Sequence, residues 1–218
     1  SGKIKECNSY AGIEIENIQI TDSSFDIRYR LSQVGTRVIN NVVDYTNYVL
    51  YDIGQPLHAF DRDKLFGNIS VRFAQDSEEL LTLDNQKRKL TKNDLIIVAD
   101  DRPIALAGVM GGLDTEVTSE TTNLLIESAY FDKVSIMNTS RKLNLISDAS
   151  IRFERGIDRN LQMLGLNRFI NIFQNNQDLD YSEPFEDIKD EYDNPEISFS
   201  RTEIYKLLGI NLQDEFIE

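Results

Sequence analysis

Between Tyr10 and Ile20 the chain alternates apolar and polar residues through its second half, which predicts a half-buried strand. Asp22-Ser23-Ser24 then offers helix caps. A short helix is expected over residues 27–31 and a longer one over 40–52, where Val42, Val43, Tyr45, Val49 and Leu50 form a stripe and Gly54 is a stop. From about 68 to 131 the texture changes to short apolar runs at 69–73, 80–83, 95–99, 104–107 and 124–129. Asp84-Asn85 and Asp100-Asp101-Arg102-Pro103 separate some of them as hairpin connections would. This is the pattern of antiparallel sheet, without the βαβ rhythm of a dinucleotide fold. Helices are expected at 132–141 and 158–173, the latter with Leu161, Leu164, Phe169, Ile170 and Phe173 on one face.

The pattern fades over 176–196, which is rich in Asp, Glu, Asn and Pro and reads as an acidic linker. It resumes with a short strand at 197–199 and a helix capped by Ser200 and Glu203 and ended by Leu207-Leu208-Gly209. Leu212-Gln213-Asp214-Glu215 opens what looks like another helix, so the expected layout is a body over 1–176, a linker over 177–196, and over 197–218 the truncated start of a further helical domain.

Composition narrows the classes. With 40% hydrophobic and 28% charged residues and no low-complexity tract, the chain reads as a soluble globular protein. No apolar run approaches the roughly 20 residues that cross a bilayer, which makes the expected location cytoplasmic. Cys7 is the sole cysteine and His58 the sole histidine, so an internal disulfide and a cysteine zinc site are excluded, and a Ser-His-Asp triad would have to be built on His58. The net charge of −14 argues against a protein that grips nucleic acid unaided. Much of that charge lies in the tail, because residues 177–218 hold 13 acidic and 3 basic residues.

Three segments carry more chemistry than a scaffold needs. Residues 40–48 crowd Asn41, Asp44, Thr46 and Asn47 onto one helix; 55–61 place His58 after a proline-set turn; 107–112 put Gly108, Gly111 and Gly112 at the end of an apolar strand, where a ligand could come close. A lone histidine between Leu57 and Ala59 is more often a core residue, and glycine clusters usually serve turns. Glu127 interrupts the run Leu124-Leu125-Ile126; alternation could point it inward, where a carboxylate must be paired or used, or outward into solvent.

Four motifs, Val-Asp-Tyr-Thr-Asn-Tyr-Val (43–49), Gly-Gln-Pro-Leu-His-Ala-Phe-Asp (54–61), Ile-Ala-Leu-Ala-Gly-Val-Met-Gly-Gly (104–112) and Ser-Asp-Ala-Ser-Ile-Arg-Phe-Glu-Arg-Gly-Ile-Asp (147–158), resemble in order and spacing the editing module of bacterial phenylalanyl-tRNA synthetase β subunits. The likeness covers about residues 5–175, and 197 onward resembles the opening of the following helical, DNA-binding-like domain. It implies an α+β fold on an antiparallel β-sandwich-like core of unusual topology with flanking helices, and a pocket that hydrolyses tyrosine wrongly esterified to the phenylalanine tRNA. Carried over by motif, His58, Asn47, Thr46 and Ser147 would act in the hydrolytic step, and Glu127, Gly108 and Ala149 would hold the amino acid, with Glu127 testing for the hydroxyl. The family usually has threonine where this chain has Ser147. No metal or cofactor is implied for the fragment; ATP and magnesium are expected for the whole enzyme, with the tRNA acceptor end and an α subunit, in an α2β2 assembly, as partners. The rival readings are a serine or metal hydrolase centred on His58, for which neither a Gly-x-Ser-x-Gly elbow nor a metal-ligand spacing is present, and a non-catalytic tRNA-docking or scaffold module.

Overall fold

The computed structural model describes residues 4–188 and 196–216. In chain order the elements begin with strand β1 (Cys7–Glu16), helices α1 (Phe25–Gln33) and α2 (Asn41–Ile53), and strands β2 (Leu57–Asp61), β3 (Ile69–Phe73), β4 (Glu79–Leu81) and β5 (Lys87–Lys89). There follow β6 (Leu95–Ala99), β7 (Arg102–Leu106), β8 (Met110–Gly111) and β9 (Leu124–Phe131), then helices α3 (Lys133–Leu143), α4 (Asp148–Arg155) and α5 (Gln162–Gln174). Strands β10 (Asp180–Tyr181) and β11 (Phe185–Ile188) and helix α6 (Arg201–Leu208) complete the described set.

The central sheet runs β10-β1-β9-β2, with β11 also on β1, and every pairing is antiparallel. A second sheet, β3-β6-β7-β8, lies against one face of it, and the β4–β5 hairpin is tied to the second sheet by the Thr82–Gly112 bridge. The fold is therefore α+β.

Alternation along β9 assigns its two faces. Leu125, Ala129 and Phe131 point into the sandwich, where they meet Ile97, Ala105, Leu106, Ile136 and Phe153. Leu124 and Ile126 point the other way, toward Val42, Tyr45 and Val49 of α2 and Leu166, Phe169 and Phe173 of α5. On that helical side Tyr45 lies edge-on to Phe173 at 5.3 Å between ring centres, and Phe169 is 5.5 Å from Phe173. Burying each such ring stabilises the fold by about 1.5–3 kcal/mol.

The polar excess on α2 has a structural explanation. The Asn40 side chain caps the helix by accepting from Val43 N at 2.9 Å, and Gly54, at φ 80°, ends it. Asn41 accepts from Thr21 N and donates to Gln19 O, while fully buried Asp44 accepts from Ser23 Oγ and Ile39 N. These bonds fasten the 17–40 connection to the body.

The chain departs from the sequence expectations in several places. Strand β1 stops at Glu16 because Asn17 adopts φ 55° and Ile18 turns to donate to Thr122 O. Residues 57–61, after the proline-set turn, form a strand, and 148–155 form a helix, neither of which periodicity revealed. The segment expected as a linker is not free of the body over 180–188, where β10 and β11 extend the central sheet along β1 and Phe185 lies over Gly12. Its residues 189–195 lie outside the described set. Residues 197–199 make no strand. The helix predicted from Ser200 is present as α6, with both capping-box bonds and Gly209 in the left-handed conformation, yet it buries no residue. The next helix expected after 212 is a single 3-10 turn at Asp214–Phe216, and 217–218 lie outside the described residues. Among the described residues no helix is long and apolar enough to cross a membrane.

Candidate functional site

Where β2 and β9 pair on the sandwich face of the central sheet, His58 stands opposite Glu127. Side chains so placed on one face are neighbours, with Cβ atoms about 4.5–5.5 Å apart. The two line a small cleft of about 60 Å3 with Leu57, Ile97, Gly108, Met110, Ala149 and Phe153 among its other walls.

Three local features shape this cleft. Helix α4 presents Ala149 and Phe153, one turn apart, to it. Gly111 lies so close to the imidazole that a Cβ there would stand 2.5 Å from Cε1 and 2.6 Å from Nε2 of His58, so only glycine lets the ring occupy its place. Gly108 sits at φ 65°, and a Cβ on it would meet Phe153 at 2.9 Å, so both its conformation and its surroundings call for glycine. Ser147 tethers the glycine loop to α4: its hydroxyl donates to Val109 O at 2.8 Å and accepts from Ser150 N at 3.1 Å as the helix N-cap.

The electrostatics are those of a charge-poor site. Glu127 is 5% exposed, and burial pushes its carboxyl up to about 8, against the opposing effect of a hydrogen bond from the Tyr10 hydroxyl to Oε2 at 2.9 Å. His58 packs edge-on against Phe60, 4.4 Å between ring centres, and burial lowers its pKa to about 4 although one edge remains open to the cleft. Among the described residues neither ring nitrogen has a hydrogen-bond partner. At neutral pH the pair is thus a protonated carboxyl beside an unprotonated imidazole. A buried carboxyl held neutral can donate as well as accept a hydrogen bond.

Of the residues expected from sequence, His58, Gly108, Glu127 and Ala149 come together in this lining, and Ser147 sits behind it with its hydroxyl proton committed to Val109. Thr46 and Asn47 are on α2 and are not among the lining side chains; Thr46 is buried and donates to Val43 O at 2.8 Å within its own helix. Sequence reasoning missed Tyr10, because its proximity to Glu127 depends on the pairing of β1 with β9 across more than a hundred residues. Tyr10 also lines a second, larger cavity of about 620 Å3, bounded on other sides by Cys7, Leu65, Val71 and Phe185. Among the described residues no cluster of three or more His, Cys, Asp or Glu side chains is arranged to hold a metal ion.

Comparison with known proteins places the chain in a family. The chain is 46% identical over 171 residues to the phenylalanine–tRNA ligase β subunit of Synechocystis, an alignment covering 75% of this chain and 21% of that protein. It is 53% identical over 149 residues to the β subunit of Staphylococcus haemolyticus, covering 68% and 19%. The chain therefore spans about a fifth of the length of these relatives. A crystal structure of an N-terminal fragment of the phenylalanyl-tRNA synthetase β subunit from Pyrococcus horikoshii aligns with 94% of this chain and 56% of its own, at a TM-score of 0.48 and 15% identity, too distant to add to the argument. Residues 6–178 match the B3/4 domain model, and by that match the chain belongs to the B3/4 domain family.

Proposed function

We propose that this cleft is a proofreading site that hydrolyses the ester of tyrosine mischarged onto the phenylalanine tRNA, in the context of a phenylalanine–tRNA ligase whose aminoacylation site lies elsewhere. The observation that carries this reading is the buried, neutral Glu127 carboxyl, hydrogen-bonded through one oxygen to Tyr10 and facing the cleft beside an unprotonated imidazole. Such a group suits a hydroxyl better than a cation. A tyrosine ring would give it a partner, whereas a phenylalanine ring would leave it buried without one, a penalty of about 1–3 kcal/mol.

With a pKa of about 4, His58 is a weak base at neutral pH but a good acceptor, so its role is to orient the attacking water rather than to remove its proton. At about 60 Å3 the cleft has room for about two waters, so a ring requires a wall side chain to move. Met110, unbranched and only partly buried, is the adaptable part of that wall. Thr46 and Asn47, on α2 and outside the cleft lining, are given no part in this reading. ATP and magnesium belong to the synthetic site, the tRNA acceptor end and the α subunit are the partners, and the cytoplasm is the compartment.

Single-turnover deacylation of Tyr-tRNA and Phe-tRNA by the full synthetase tests the roles. Glu127→Ala should weaken tyrosine editing by about 1–3 kcal/mol and narrow the preference over phenylalanine. His58→Ala should slow hydrolysis while leaving the binding preference intact. Normal tyrosine deacylation in both variants would remove the site, and loss of selectivity in His58→Ala alone would exchange the roles.

A further inference from the structure

The hydroxyl test assigned to Glu127 depends on which of its oxygens a ligand can reach. We propose that Tyr10 is a positioning residue of the cleft: by holding Oε2 of Glu127 it leaves Oε1 as the carboxyl oxygen open to a ligand and fixes the acid proton there. The inference rests on the proofreading reading for the identity of the ligand and on geometry for the rest.

The register of the central sheet creates this arrangement. Gly12 is the direct partner of Glu127 on β1 and has no side chain, so the first group that β1 offers to the carboxyl comes from Tyr10, one row away, opposite Ala129. Its hydroxyl reaches diagonally to Oε2 at 2.9 Å. Phe185 covers the place a Gly12 side chain would take. From β2 the facing titratable group is His58, and the second sheet and α4 contribute Ile97, Met110, Ala149 and Phe153, none of which ionises. Burial, followed by the neighbouring carboxyl, holds the Tyr10 phenol in its protonated form well past its ordinary range, so it is the donor of the bond.

A carboxyl that accepts at Oε2 keeps its acid hydrogen on the other oxygen, because the carbonyl oxygen of a carboxylic acid is the better acceptor. Oε1–H then points its donor at the cleft. The ligand group it fits is an oxygen with a free lone pair at the far end of a ring, as in a phenol. Without Tyr10 the carboxyl could rotate and present either oxygen, protonated or not, and a ring lacking the hydroxyl would be penalised less.

The test uses the 218-residue chain with 13C-labelled glutamate carboxyls, the Glu127 signal being assigned by its loss in Glu127→Gln. Tyr10→Phe removes a donor that favours the ionised carboxyl, so the Glu127 titration midpoint should move upward. The same variant should reduce the preference for tyrosine over phenylalanine, measured by NMR titration of the free amino acids, by roughly three- to tenfold, part of it through tighter binding of phenylalanine. A midpoint and a preference both equal to wild type would overturn the proposal. If Tyr10→Phe does not fold, 3-fluorotyrosine placed at position 10, a stronger donor, should lower the midpoint, and an unmoved midpoint there would equally overturn it. A wild-type chain that shows no preference for tyrosine would count against the proofreading reading alone, since the titration of Glu127 still reports on Tyr10.

Discussion

Two buried carboxylates on the sandwich side of the central sheet are treated in opposite ways. Asp94, just before β6, accepts from Thr91 N at 2.8 Å, from Thr91 Oγ1 at 3.1 Å, from Thr139 Oγ1 at 3.0 Å and from the Lys142 ammonium. Burial alone would raise its pKa, but these donors together hold it below the ordinary carboxylate range. Glu127 receives one bond, from Tyr10, and burial dominates. Asp44, on the helical side, resembles Asp94 in being fully engaged by Ser23 and Ile39. A carboxylate that fastens structure is saturated with donors, whereas one reserved for a ligand is left incomplete at a cost in stability.

The largest test of this contrast is Asp94→Ala, which strands the Thr91 and Thr139 hydroxyls and the Lys142 ammonium. It should destabilise the fold by roughly 3 kcal/mol, lowering the thermal midpoint by roughly 6–12 °C in a chain of this size. A loss below about 1 kcal/mol would place Asp94 among ordinary surface ion pairs.

Glu127 should instead reveal itself through pH. Between about 4.5 and 6.5 the folded chain holds a proton on Glu127 that the unfolded chain has lost, and lacks one on His58 that the unfolded chain has gained, so the two contributions cancel. From 6.5 to about 8 the Glu127 difference stands alone, the folded state binds more protons, and stability falls as pH rises, by up to about 1.4 kcal/mol per pH unit. Urea melts of Glu127→Gln across this range should lack the fall. An identical slope in the variant would mean that the carboxyl is ionised in the folded chain.

Two helix caps sharpen the comparison at smaller scale. Asn40→Ala and Ser147→Ala each remove a capping bond and should each cost about 1 kcal/mol. Only Ser147→Ala also frees Val109, and therefore only it should weaken tyrosine binding in the cleft. Equal effects on binding would dissociate the glycine loop from the site. A loss of stability of the same small size is expected from ending the chain after residue 176. This removes β10 and β11, which are exposed edge strands, and should lower the midpoint by about 2–4 °C, equivalent to about 1 kcal/mol.

The sequence made legible those elements whose apolar residues keep a period over several turns or strands. Helices α2 and α5 and strands β6, β7 and β9 lie close to where periodicity put them. Helix α4 escaped because it buries only Ser150 and Phe153, too few positions to show a period. Strand β2 was hidden by the preceding Gln55-Pro56, which reads as a turn. In β10 and β11 an acidic composition outweighed a pairing that involves mainly backbone. For the site, motif resemblance brought out His58, Gly108, Glu127 and Ala149. The direction in which Glu127 points remained undecided, because alternation fits both faces until the helices are known to cover one of them. Tyr10 left no local signal at all, since its partner is 117 positions away.

That separation also has a meaning in time. Strand β1 lies at the centre of the main sheet, yet its partners are β9, ending at Phe131, and β11, ending at Ile188. During synthesis at about 5–20 residues per second, β1 leaves the ribosome on the order of ten seconds before β9 exists to pair with it. For that interval Ala11, Ile13 and Ile15, which are fully covered in the finished fold, are carried on a strand with two open edges. A chain with this topology relies on slow, long-range closure, and its newborn form is a natural client for chaperones that shield extended apolar segments.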